Sequence, residues 1–290
     1  MKTLNKDFSI VHRILAVNDE RAVQVLLHPQ KREYAATTRK LINSAWEDAR
    51  LNPQLDLANN LVPSYQGSKV EDGKLLIEAC VTDYKSFYGT NVCNMDQLPK
   101  SELADALAVC GVVVSKDGAI LLGKRSDRVA EAQGHWHVIG GNLEVNRSDY
   151  NWRKKYDETE FRWWFLSELN PTKNLLREIE EELGLTSRQI SNVYTLGLGK
   201  NLLNNKPEVL MFVQTNVSSQ RLRDCATHAI LHGEHSSLIT LPFEDVGAFV
   251  SDYPVAPIGK AALFAALGWY HCRENWPNIE IEELIQLIGS

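Results

Sequence analysis

Residues 170–185, Asn-Pro-Thr-Lys-Asn-Leu-Leu-Arg-Glu-Ile-Glu-Glu-Glu-Leu-Gly-Leu, constrain the fold more than any other segment. Asn170 suits a helix cap, and Pro171 suits the first turn, where a missing N–H costs nothing. Gly184 suits the left-handed residue that ends a helix. The spacing between these signals predicts a helix over 171–183. At about 100° per residue, Leu175, Leu176, Ile179 and Leu183 form one apolar stripe, with Glu178, Glu181 and Glu182 on the adjacent face. Glu180 points away from the other acids. Like charges one turn apart destabilise a helix, and the macrodipole disfavours anions in its last turns. A face that is locally unfavourable in two ways calls for a cation, and hard carboxylate oxygens suit Mg²⁺ or Mn²⁺.

The segments around this helix read as a mixture of strands and helices. Leu107–Val114 is an apolar run short enough for a buried strand. Lys116-Asp117-Gly118 signals a hairpin, and Ala119–Leu122 returns as its second strand. Further strands are expected at 8–14, 22–27, 75–81, 192–199 and 207–215. Helices are expected at 36–50, 258–272 and 279–288. The polar stretch 91–102 reads as a linker. Without a regular βαβ alternation, the class is α+β with a mixed sheet. Two regions are expected: an N-terminal α+β extension over 1–104 and a main domain over 105–290, carrying an insertion at 142–176.

Composition excludes several functions. The 290 residues are 44% apolar and 23% charged, which fits an ordinary globular chain, and the net charge is −6. Such a chain has no general pull toward nucleic acid or anionic membrane. Five cysteines, an odd number without a C-x-x-C, argue against a disulfide framework or zinc ribbon. The apolar stretch 261–270 is too short to span a bilayer. The first residues lack a signal-peptide core. The expected location is therefore cytoplasmic, with a small molecule as partner and the oligomeric state unspecified.

Arg177-Glu178-Ile179-x-Glu181-Glu182-x-Gly184-Leu185 matches the second half of the Nudix box, R-E-U-x-E-E-x-G-U with U aliphatic. Trp136-His137-Val138-Ile139-Gly140-Gly141 resembles the W-x-x-P-G-G approach to that box, with Ile139 in place of Pro. The chain therefore resembles the Nudix hydrolase family, although its loop half is remodelled. Gly141 and Arg177 are 36 positions apart where the box has 14, and Leu169 stands where the box has a Glu, with Glu168 one position away.

The resemblance implies a Nudix α/β/α sandwich over about 105–252 and a Mg²⁺-dependent pyrophosphohydrolase. It implies metal ligation by Glu178, Glu181, Glu182 and the Gly141 carbonyl. Glu181 would also serve catalysis, Arg177 would orient the carboxylates, and Glu234 of His232-Gly233-Glu234-His235 would be a candidate general base. Lys124 and Arg125, at the end of a strand, are candidates for phosphate.

Outside the box, Asp83-Tyr84-Lys85-Ser86-Phe87-Tyr88-Gly89-Thr90-Asn91 resembles S-Y-R-D-F-L-G-T-N. Ser126-x-x-Val129-Ala130-Glu131-Ala132-x-Gly134 resembles S-x-x-V-A-E-A-x-G, and Trp46-Glu47 resembles part of I-W-E-T-R-L. These segments belong to animal members of the family that cleave UDP-glucose and UDP-galactose. That similarity implies a UDP-sugar substrate and makes Tyr84, Gly89 and Asn91 substrate-binding candidates. Hydrolysis of ADP-ribose and a non-catalytic nucleotide-binding module are the alternatives. His135-x-His137 and His228-x-x-x-His232 have zinc-like spacing but read as packing residues. The aromatics of the insertion, from Tyr150 to Phe165, read mainly as packing, with one or two available to a nucleotide pocket.

Overall fold

A computed structural model describes residues 6–145, 169–225, 230, 233–280 and 283. Its strands and helices run in chain order as follows. β1 (Phe8–Val17) and β2 (Val23–Lys31) precede α1 (Ala36–Leu51). β3 (Leu61–Glu71) and β4 (Lys74–Asp83) lead into α2 (Tyr84–Phe87), which continues into a wider helical turn at Tyr88–Val92. Next come β5 (Ala108–Val114), β6 (Ala119–Arg125), β7 (Trp136–His137), β8 (Ile139–Asn142) and α3 (Pro171–Leu183). The chain continues through β9 (Ile190–Asn201), β10 (Pro207–Thr215), α4 (Ser219–Asp224), β11 (His235–Pro242), α5 (Val246–Asp252) and α6 (Pro257–Cys272).

The larger sheet has the order β1-β9-β10-β5-β6-β11 and is mixed, with β10 parallel to β5 and the other pairs antiparallel. β5 and β6 pair only at Val114 and Ile120 before they part. The segment 136–142 wedges into the gap, with β7 on β6 and β8 on β5. This places Gly140 and Gly141 in the middle of the sheet.

Alternation along the strands separates two cores. Val109, Val113, Leu121, Val209 and Met211 face α3, which buries Leu175, Ile179 and Leu183 against them. Gly111 sits under the helix, where an added Cβ would lie 2.6 Å from a Leu175 methyl. Cys110, Val112, Ile120, Leu122, Leu210 and Phe212 face α6 on the other side. The result is an α+β fold in which helices cover both faces of a mixed sheet. No described helix is long and apolar enough to cross a membrane.

α3 spans the predicted residues, and its cap is the expected one: the Asn170 side chain accepts from the Lys173 N–H, and Gly184 has φ 65°. β3 escaped the sequence reading because Pro63 and Gly67 interrupt its pattern. It survives as an edge strand of a second sheet, β2-β4-β3, where proline is tolerated. That sheet packs Val25 and Ile77 into the same core as α3. β1 crosses the expected boundary at 104/105 and pairs with β9 of the main sheet. The linker reading of 91–102 is corrected at its start, where Asn91 is buried. The insertion aromatics, Glu168, His228, His232 and most of 279–288 lie outside the described residues.

Candidate active site

The carboxylate face of α3 meets the wedge between β5 and β6. An added Cβ on Gly141 would lie 2.8 Å from the Glu178 carboxyl carbon, so a side chain there would displace the carboxylate. Glu178 lines a cavity of ≈ 460 Å³ together with Gly140, Gly141, Asn142, Arg125 and Glu234. Burial pushes the Glu178 carboxyl up to about 8. Arg177 opposes that shift, and the nearby Glu182, Glu234 and Glu181 reinforce it.

Glu182 lies behind this wall and is almost fully buried. One of its oxygens is 2.7 Å from His235 Nε2, and the other has no hydrogen-bond partner among the described residues. Burial, then the charge of Glu234, raises the Glu182 pKa well above the ordinary carboxylate value. His235 is lowered to about 4, chiefly by burial. At neutral pH it is an uncharged imidazole, so the contact is a hydrogen bond rather than an ion pair. Its ring lies over Gly123, where a Cβ would come within 2.4 Å of Nδ1.

Arg177 ties the exposed side of the helix together. It donates to Glu181 at 2.9 Å, to Glu178 at 2.8 Å and to Asn174 at 3.1 Å. These bonds hold the two carboxylates in a fixed relation. Glu181 is half exposed and paired with Arg177. Among the described residues, no three His, Cys, Asp or Glu side chains are grouped as a ready-made metal cage. The donor chemistry still fits a hard divalent ion at Glu178 and Glu182. One buried carboxylate oxygen lacks a partner, two clustered acids are destabilised as anions, and a glycine leaves room beside them.

The other candidates divide. Arg125 and Tyr84 line the cavity, whereas Lys124, Gly89 and Asn91 do not. Lys124 lies on β6 opposite Trp136 of β7. Gly89 packs against α1, where a Cβ would meet the Ile42 backbone at 2.6 Å. Asn91 spends its amide inside the protein, donating to Asp105 and to the Asn204 carbonyl and accepting from the N–H groups of Ala104 and Asp105. Gly89 and Asn91 therefore brace the fold and do not line the cavity.

Sequence reasoning missed Lys206, Glu208, Asn204 and Glu144, all on the cavity wall. Glu131 also lies there, inside a motif that was recognised but whose acid was not singled out. Both members of the zinc-like pair, His135 and His137, line the cavity, and Nδ1 of buried His137 accepts from the Val138 N–H. Burial, followed by the charge of Arg125, lowers its pKa well below the ordinary histidine value.

No family model matches the chain. The chain is similar to Nudix hydrolase 9 of Arabidopsis thaliana, with 20% identity over 210 residues, covering 68% of each protein. Among solved structures it is similar to a NUDIX-family hydrolase from Clostridium perfringens, with 15% identity over 56% of this chain and 97% of that one and a TM-score of 0.32. A NUDIX hydrolase from Nitrosomonas europaea has 14% identity over 59% of this chain and 92% of that one, with a TM-score of 0.33.

Proposed function

We propose that this protein is a Mg²⁺-dependent Nudix-type pyrophosphohydrolase that cleaves the diphosphate of a UDP-sugar to UMP and a sugar 1-phosphate. The observation that carries the reading is the Glu178 carboxylate against Gly141 on the cavity wall, with the unpartnered oxygen of Glu182 behind it. The similarity to Nudix hydrolase 9 supports the same class of chemistry.

Glu178 and Glu182 would hold the divalent ion, which when bound neutralises diphosphate charge and acidifies water. Arg177 keeps Glu178 in place while leaving it open to the cavity. The Nε of Arg125 donates to the Glu131 carbonyl, and its terminal N–H groups make no hydrogen bond among the described residues. They are available to a phosphoryl oxygen as charge develops there. Glu234 lines the same cavity as Glu178 and is the proposed base that takes a proton from the attacking water. Val62 and Tyr84 give the wall an apolar, aromatic patch against which a base can pack.

The test is kcat/KM for UDP-glucose, UDP-galactose, ADP-glucose and ADP-ribose at one Mg²⁺ concentration, with an EDTA control. We expect turnover that requires Mg²⁺, is lost in Glu178→Gln and Glu182→Gln, and favours the uridine compounds tenfold to a hundredfold. A preference for ADP-ribose would move the substrate to the adenine series. No turnover of any diphosphate with Mg²⁺ would refute the enzyme.

A further inference from the structure

The wall of the same cavity carries a network of charged side chains. Lys206 Nζ lies 3.0 Å from one Glu131 oxygen and 3.9 Å from Glu208, and its side chain is only 9% exposed. Asn204 donates to the other Glu131 oxygen at 2.7 Å. The turn between β9 and β10 that presents these groups is fixed from behind. Asp105 accepts from Asn205 at 2.8 Å with both its oxygens, and Asn91 donates to the Asn204 carbonyl. Asn205 itself has φ 57°, a conformation that asparagine tolerates well. An arrangement fixed this firmly and facing a cavity is pre-organised to bind a ligand.

The chemistry of the network limits what that ligand is. Lys206 lies between Glu131 and Glu208, so its charge is already paired and offers little to a diphosphate. An ionised carboxylate accepts up to about four hydrogen bonds, and Glu131 receives one at each oxygen from Lys206 and Asn204. Its remaining lone pairs suit donors. The edge of uracil offers two carbonyl oxygens and one N–H, a poor match to a surface rich in acceptors. A hexose offers several hydroxyl donors without charge.

Resting on the diphosphate-cleaving reading above, we propose that Glu131, held by Lys206 and Asn204, is the group that reads the sugar hydroxyls and sets the preference for a sugar on the distal phosphate. Glu131 contacts the substrate away from the scissile bond and therefore acts on specificity rather than on the chemical step.

The test compares UDP-glucose with a UDP alkyl ester, which keeps the base and the diphosphate but has no hydroxyls in place of the sugar. Wild type should prefer UDP-glucose, and Glu131→Gln should lose tenfold to a hundredfold in kcat/KM on UDP-glucose while staying within about threefold on the alkyl ester. Because the single variant leaves Lys206 paired with Glu208 alone, Glu131→Gln combined with Lys206→Met removes both charges together and should lose preference in the same way. Melting curves establish that each variant is folded. Equal losses on both substrates, or a wild type that does not distinguish them, would overturn the assignment while leaving the diphosphatase standing. A wild type that cleaves neither substrate with Mg²⁺ would remove the enzyme reading and this assignment with it.

Discussion

Raising the pH of the metal-free protein from 6.5 to 8 should destabilise it, and Glu178 is the reason. Its folded-state pKa is pushed up to about 8 by burial and by neighbouring carboxylates, against 4.5 for an unperturbed glutamate. The folded state therefore holds a proton that the unfolded state has already released. Stability conferred by that proton is fully present below about pH 4.5 and is lost as pH rises toward 8. Below pH 6.5, His235 and His137 contribute with opposite sign. Their pKa values are lowered on folding, so stability rises as pH climbs toward the ordinary histidine value. Above 6.5 the unfolded-state histidines finish releasing their protons, which offsets about 0.4 kcal/mol per histidine of the Glu178 loss by pH 8. At 1.36 kcal/mol per pH unit for one proton, tapering near the pKa, the Glu178 loss from 6.5 to 8 is about 1.5–2 kcal/mol, or about 1 kcal/mol once the two histidines are counted. In a domain of this size that corresponds to roughly 2–4 °C in melting temperature. Differential scanning calorimetry in EDTA across this range measures it. Glu178→Gln should flatten the slope and melt higher than wild type at pH 8. Mg²⁺ should restore wild type at pH 8, because an ion bound only by the folded state stabilises it and favours the ionised carboxylate. A wild-type curve that is flat from 6.5 to 8 in EDTA, or a Gln variant with the wild-type slope, would show that Glu178 is not held protonated by its surroundings.

Two further substitutions separate the working site from its bracing. Gly141→Ala puts a methyl group against the Glu178 carboxylate, the mobile end of a side chain, so the melting temperature should move by no more than about 1 kcal/mol equivalent. Turnover and the Mg²⁺-induced rise in melting temperature should both fall tenfold or more in apparent metal affinity, as read by a Mg²⁺ titration. Asn91→Ala should do the reverse: it leaves the Asn204 carbonyl and the buried Asp105 N–H without a partner and takes one hydrogen bond each from the Asp105 carboxylate and the Ala104 N–H, at about 2–4 kcal/mol in chemical denaturation. Its ratio of kcat/KM between uridine and adenine substrates should not change. A changed ratio with unchanged stability would return Asn91 to the substrate side.

The contrast between these two residues shows what a sequence of this kind makes legible. α3 was readable because everything that forms it is local: Asn170 and Gly184 cap it, and its apolar stripe has the helical period. Its meeting with Gly141 was legible only through the motif, since 35 residues lie between Gly141 and Arg177. What brings the two together is the parting of β5 and β6, which leaves a gap for 136–142 to fill. Asn91 and Glu131 both sit in recognised segments, and nothing in residue type distinguishes an amide that is satisfied internally from a carboxylate with lone pairs open to a cavity. That difference depends on Asp105 and Asn204, which lie 14 and 113 positions from Asn91. His235 was given no role, because nothing in its local sequence marks it. It is buried and neutral, yet it also holds one oxygen of Glu182, leaving the other without a partner. The acids on α3 are unfavourable to their own helix and unfavourable to one another once folded. They are compatible with the fold because Arg177 offsets part of their repulsion and protonation offsets more, which leaves a site whose stability as an anion depends on an added cation.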